Sequence, residues 1–421
     1  MSDSRRSGYL RLSLDAQEAL IAAARNPEPV RGLTHGYYKY PARFSPVFAR
    51  AAIDTFTRPG DLVLDPHVGG GTTLVEARAA GREAVGVDIS TLAEFVSNVK
   101  CTVYSEQELD TLKVWTQRIA HCIDIRKPSY SLAEYEEQGY YKHLDHPSRW
   151  RLRKAIEQGI ASAVALGTPR LEAFGRCVVL RTAQWALDGR SKLPRVDDFR
   201  RFIAETAESM VAGARELRAA VQEHGRESVT VLNRSAAGLE EDFRLREMRA
   251  PRLVVTSPPY PGVHVLYHRW QVDGRKEAPL PFMIAKKLDG AGSSYYTMGD
   301  RKYPELKTYF DNIRSTMSSV AAVANARTVI VQMVAFAEPS WQLPRYLETM
   351  EEAGLREVKL SKLRGERDGR LWRSVPSRRW YSDQRGETPA SQEVVLIHRK
   401  EDRSIRRPSE VSWAASGIAA R

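Results

Sequence analysis

The chain has 421 residues, 42% of them hydrophobic and 28% charged, which suits an ordinary globular fold and excludes a fibrous or largely disordered one. Lys and Arg number 64 against 52 Asp and Glu, and the net charge of +12 favours a polyanionic partner while equally suiting a basic enzyme without one. Three cysteines at spacings that match neither a zinc site nor a disulfide framework, no apolar run of about 18 residues and no apolar core after Met1–Arg6 point to a reducing cytoplasm, away from secretion or membrane insertion.

Residues 1–34 read as a peripheral segment, helix-like from Asp15 to Ala24 and broken by Asn26-Pro27-Glu28-Pro29. An aromatic and basic loop follows, Tyr37 to Pro46, then a helix-like run to Phe56 closed by Pro59-Gly60. Asp61–Leu64 is a short strand ending at Asp65-Pro66. After the glycines Gly69, Gly70 and Gly71, a helix opens at Thr72 and Thr73, and a second strand, Ala84–Val87, ends in Asp88. Strand, Gly-rich turn, helix, strand and acidic residue make one βαβ unit with the spacing a nucleoside cofactor needs.

From Cys101 to Arg226 the pattern is long and helical, with no phosphate loop or metal spacing. Strand signals return at 228–232, 252–256, 327–333, 357–360 and 393–398, so the helical block reads as an insertion within an α/β sheet. No internal repeat or low-complexity tract occurs. Between the last two strands, Arg364, Arg367, Arg370, Arg373, Arg378 and Arg379 stand among Trp372, Trp380 and Tyr381. That mixture suits a hairpin gripping a nucleic-acid backbone, and a solvated loop would look the same.

Gly69 and Gly71 allow close backbone approach to a ligand, Asp65 at a strand end can hold a cationic amine, and Asp88 is placed to accept both ribose hydroxyls. The turn alone could also open a dinucleotide site, but no Gly-Lys-Ser or Gly-Lys-Thr follows, which disfavours a nucleotide triphosphatase. The second constellation is Thr256-Ser257-Pro258-Pro259-Tyr260, directly after the apolar run Leu253–Val255. A base amine is a poor nucleophile because its lone pair is delocalised into the ring. Acceptors such as the Ser257 oxygen and the Pro258 carbonyl can take its two hydrogens, the prolines stiffen the loop, and Tyr260 can stack on a base lifted from the helix. Tyr40 and its neighbours, Lys39 to Pro46, could cover the cofactor, though alone they read as a loop with two prolines.

Together these residues resemble the amino-group DNA methyltransferases, most closely the cytosine-N4 branch. The family's Asp-Pro-Phe-x-Gly-x-Gly-Thr-Thr motif is matched by Asp65 to Thr73, with His67 where Phe is usual. Its acidic ribose ligand falls on Asp88, followed by Ile89, and its catalytic (Ser/Asp)-Pro-Pro-(Tyr/Phe) falls on Ser257 to Tyr260. Ser at the first position is what cytosine-N4 members usually carry; adenine-N6 members usually carry Asp. The resemblance covers about 35–100 and 228–335, places Val229–Gly238 where an adenine-contacting strand end belongs, and makes 101–226 a candidate target-recognition region, with 261–310 and 364–381 as further candidates.

The resemblance implies a Rossmann-like, mostly parallel seven-stranded sheet with a helical insertion. It implies a catalytic domain over 35–100 and 227–400 and a tail over 401–421. S-adenosylmethionine would be the cofactor, held by Tyr40, Asp65, Pro66, His67, Gly69, Gly71, Thr72, Thr73, Asp88 and Ile89, with no metal. Double-stranded DNA would be the substrate, with room for a restriction endonuclease partner and a place at the nucleoid. Adenine-N6 methylation and a catalytically idle DNA-binding module are the alternatives. No role can be read for His35, His264 or His268.

Overall fold

The computed structural model describes residues 8–28, 30–40, 44–127, 132–144, 146–190, 192–225, 227–262, 270–272, 276–285, 298–299, 303, 305–374 and 392–401. In chain order the elements are β1 (Gly8–Tyr9), α1 (Leu14–Arg25), α2 (Pro46–Phe56), β2 (Leu62–Asp65), α3 (Thr72–Ala79), β3 (Glu83–Asp88) and α4 (Thr91–Cys101). The insertion holds α5 (Glu106–Cys122), α6 (Leu132–Glu137), α7 (Trp150–Val164), α8 (Pro169–Leu187) and α9 (Val196–His224). Then come β4 (Val229–Asn233), α10 (Phe243–Glu247), β5 (Leu253–Thr256), β6 (Trp270–Val272), β7 (Lys276–Ala278) and α11 (Leu280–Ala285). The chain closes with α12 (Lys307–Val323), β8 (Val329–Ala335), α13 (Pro339–Glu352), β9 (Leu355–Lys359), β10 (Leu371–Ser374) and β11 (Gln392–Lys400).

One sheet runs in the order β1-β9-β11-β8-β5-β2-β3-β4, with β10 joined to β11. The β4-β3-β2-β5-β8 block is parallel, and β11 lies antiparallel to both β8 and β9. Strands β2, β5 and β8 are buried along their whole length, as the unbroken runs Leu-Val-Leu, Leu-Val-Val and Val-Ile-Val require of strands covered on both faces. Nine strands stand where seven were expected, because Gly8–Tyr9 adds an edge beyond β9 and Leu371–Ser374 extends the sheet beside β11.

The segment read as peripheral therefore contributes an edge strand and a helix. Gln17 on α1 is buried and its side chain holds Ser361 and the backbone N–H of Lys362. The insertion does sit between β3 and β4, but its core is continuous with that of the sheet: Phe174, Val178 and Ile203 belong to the same buried cluster as Val63, Leu74 and Leu253. No described helix is long and apolar enough to cross a membrane, and no group of potential metal ligands occurs among the described residues.

Candidate active site

The turn after β2 is shaped by two left-handed glycines, Gly69 (φ 47°) and Gly71 (φ 77°), the latter capping the N-terminus of α3. Its shape is locked from three sides. Asp88, at the end of β3, accepts the Gly69 N–H at 2.8 Å with one carboxylate oxygen and the Ser90 N–H at 2.8 Å with the other. Lys100, on the last turn of α4 and buried, donates to the Gly70 carbonyl at 2.6 Å. The Tyr40 ring lies over Gly69 and Gly70, so close that a β-carbon on Gly70 would sit 3.4 Å from that side chain.

A cavity of about 670 Å³ opens over this turn, within the usual size of a small-molecule site. Its wall includes Tyr40, Asp65, Pro66, His67, Gly69, Thr72, Thr73, Asp88 and Ile89 from the predicted cofactor set, and Ser257 and Pro259 from the predicted catalytic loop. Two motifs 168 positions apart in sequence, from Asp88 to Thr256, thus face one space at the carboxyl ends of neighbouring parallel strands, where open α/β sheets place their ligands. Gly71, Pro258 and Tyr260 are not part of that wall.

Burial pushes the Asp65 carboxyl up to about 6, against hydrogen bonds from the Thr73 and Thr256 side chains and the His67 backbone that favour its ionised form. His67 is held neutral, burial pushing its imidazole down to about 3. Its Nδ1 lies 3.3 Å from Thr256 Oγ1, while Nε2 is shielded from solvent without a hydrogen-bond partner. His35 pairs through Nε2 with Glu76 on α3 at 2.7 Å, and Arg50 holds the other Glu76 oxygen at 2.9 Å. Burial acts to raise Glu76, but His35 and Arg50 together keep it below the ordinary carboxylate range. His35 thus clamps the helix behind the glycine turn; His264 and His268 lie outside the described residues.

The catalytic loop is braced from α12, where the Tyr309 hydroxyl donates to the Pro259 carbonyl at 2.8 Å. Tyr260, expected to stack on a base, is buried, and its hydroxyl is within 3.1 Å of Ser257 Oγ and donates to Glu393 at 2.5 Å. Of the arginine run, Arg373 is buried against Glu393 at 2.8 Å and Arg370 is held by Glu357 at 2.6 Å. Arg364 and Arg367 are exposed, stacked on Tyr9 and Trp372 at 4.6 and 4.5 Å. Arg378 and Arg379 lie outside the described residues.

Arg234–Ala237, within the Val229–Gly238 stretch singled out in the sequence, line the wall, but several wall residues escaped the sequence reading: Lys100, Ser90, and Thr308, Asn312, Ser315 and Thr316 on α12. The last four recur at helical spacing as a polar face, a signal present in the sequence. Asn233 braces the site from behind, its amide donating to the Asp88 carbonyl at 3.1 Å.

This strand order, with a glycine turn after β2 and an acidic residue ending β3, defines a Rossmann-like, mostly parallel α/β fold. Residues 23–95 match the family described as DNA methylase, so that segment is similar to the amino-group DNA methyltransferases. It is 33% identical over 75 residues to type II methyltransferase M.MjaII of Methanocaldococcus jannaschii and 36% identical over 80 residues to type II methyltransferase M.MvaI of Kocuria varians. Each match spans 18% of this chain, and only 14% and 18% of those relatives' own lengths. The rRNA methyltransferase aviRa of Streptomyces viridochromogenes aligns over 93% of this chain and 96% of its own, at 13% identity and TM-score 0.33, a likeness too loose to carry an argument.

Methyltransferases of the matched family use S-adenosylmethionine, and the residues present fit it. Glycines 69 and 70 leave a cradle under Tyr40 that side chains would fill, two carboxylates stand at adjacent strand ends, and the unsatisfied His67 Nε2 is in the wall.

Proposed function

We propose that this chain is an S-adenosylmethionine-dependent DNA methyltransferase acting on an exocyclic base amine, with the N4 amine of cytosine as the preferred target. The observation that carries the reading is the convergence of Asp65, Asp88 and Ser257 on one cavity. Asp65 and Asp88 would hold the cofactor's amine and ribose, with Gly69, Thr72 and Thr73 along its length and Tyr40 across its face. The cofactor supplies a methyl group carried on a sulfonium. The loop's part is to bind and orient the amine: the Ser257 oxygen and the Pro258 carbonyl take its hydrogens, and Pro258 and Pro259, braced by Tyr309, keep these acceptors from shifting. A base must leave the helix to reach this depth.

Ser at position 257 favours cytosine over adenine by resemblance. Duplex DNA is the proposed substrate, gripped in part by exposed Arg364 and Arg367. A modification role beside a restriction endonuclease, at the nucleoid, is part of the same reading. The test is to incubate the protein with labelled S-adenosylmethionine and unmethylated genomic DNA, digest to nucleosides and identify the product by mass. N4-methylcytosine is expected. N6-methyladenine would move the target base, label on RNA alone would overturn the DNA substrate, and no transfer would leave a DNA-binding module.

A further inference from the structure

Ser257 can act on an amine only if its oxygen, not its hydrogen, faces the base. A lone hydroxyl has no such preference, since it donates and accepts equally well. The structure supplies the missing constraint through two buried groups on the far strands.

Glu393 is the second residue of β11 and Arg373 lies directly opposite it on β10, the two forming a cross-strand pair. Both are buried; the Arg373 Nε–H donates to one Glu393 oxygen at 2.8 Å, and Arg373 also reaches the Ala24 carbonyl of α1 at 3.4 Å. The other Glu393 oxygen accepts the Tyr260 hydroxyl hydrogen at 2.5 Å. Tyr260 has one hydroxyl hydrogen, so once it is given to Glu393 the 3.1 Å contact between Tyr260 and Ser257 is a hydrogen bond only if Ser257 donates it.

Resting on the base-methylation reading above, we propose that Glu393 is a positioning residue that sets the polarity of Ser257. By taking the Tyr260 hydrogen it turns the Ser257 hydrogen inward, toward Tyr260, and leaves the serine lone pairs to face the cavity and accept a hydrogen of the target amine. Arg373 donates to the other Glu393 oxygen and holds the carboxylate in place. The donor direction therefore runs from Ser257 through Tyr260 to Glu393, and the serine that meets the base is oriented by a carboxylate two hydrogen bonds away.

The test is a double-mutant cycle on the single-turnover rate with labelled S-adenosylmethionine and unmethylated genomic DNA. Tyr260→Phe keeps the ring and the Glu393–Arg373 pair and removes only the hydroxyl. Glu393→Gln puts a donor where only acceptors stood. Each single variant is expected to lose roughly ten- to hundred-fold in rate, with KM for DNA and cofactor affinity unchanged. Glu393→Gln should cost nothing further in the Tyr260→Phe background, because its effect travels through that hydroxyl. A residue that only stabilised the fold would give independent losses. Full activity in Tyr260→Phe, or an undiminished Glu393→Gln loss in that background, would overturn the proposal. Should Glu393→Gln not fold, Tyr260→Phe decides alone. Wild-type protein that modifies no DNA sinks the methylation reading itself, whereas active wild type with an additive cycle sinks only this inference.

Discussion

Gly71 and Ser97 meet so closely that a β-carbon on Gly71 would lie 2.7 Å from Ser97 Oγ and 3.3 Å from Ser97 Cα. This close approach ties the cap of α3 to the middle of α4, and Gly71 holds φ 77° besides. Gly71→Ala thus adds backbone strain of about 1–3 kcal/mol and overpacking of about 1–3 kcal/mol. Denaturant unfolding should show that loss. Adding Ser97→Gly should return the overpacking part and leave the strain.

Asp65 provides a pH test. Its carboxyl is raised by burial to about 6, so its contribution to stability is present below the ordinary carboxylate range and is lost as pH rises through 6. A bound cation reverses this preference. Cofactor affinity should rise between pH 5 and 7, with proton release on binding below about pH 6, seen by calorimetry in two buffers. Asp65→Asn should melt higher than wild type at pH 7 without ligand and lose at least about ten-fold in cofactor affinity. Pre-ionised behaviour, with affinity flat across that range, would contradict it.

His67 titrates with the opposite sign. Its folded value of about 3 lies below the ordinary one, so its contribution is present above about 6.5 and lost as pH falls toward 3. His67→Phe should flatten the acid limb of the stability profile and, by removing an unsatisfied buried nitrogen, raise stability at pH 7 by about 1 kcal/mol. If cofactor binding weakens at the same time, Nε2 serves the ligand.

The four described arginines should separate into two behaviours. Arg373→Ala leaves Glu393 without its buried partner and should cost about 3–5 kcal/mol of stability, and Arg370→Ala, which unpairs the half-buried Glu357, should cost less but remain measurable. Arg364→Ala and Arg367→Ala should leave melting nearly unchanged, while each phosphate left without its arginine lowers the salt slope of DNA binding by about one. Equal effects on melting in all four would remove the distinction.

Strands β2 and β5 were legible because each opens as a continuous apolar run beside a glycine, a proline or an acidic end, and the cofactor turn and catalytic loop mark their ends. Gly8–Tyr9 was invisible, since two residues carry no period. Leu371–Ser374 was hidden for a better reason: Arg373 faces inward to meet Glu393, so the strand breaks the alternation that announces strands. The same burial misled the reading of the arginine run, where spacing among aromatics cannot distinguish a cation meant for a phosphate from one matched to a carboxylate. Tyr260 was placed by motif on the base, but its hydroxyl partner comes from 133 residues further along the chain.

The helical insertion leaves the sheet after Asp88 and returns at Val229, and those two strands are nearest neighbours, with Asp88 opposite Asn233. A flexible loop of the 140 intervening residues would oppose that pairing by roughly 4 kcal/mol of closure entropy. Packed helices that bring their two ends together remove most of that penalty. The ribose-side half of the pocket thus rests on the insertion, and a lesion in α7 or α9 far from any ligand is expected to reach the cofactor by loosening the pairing of β4 with β3.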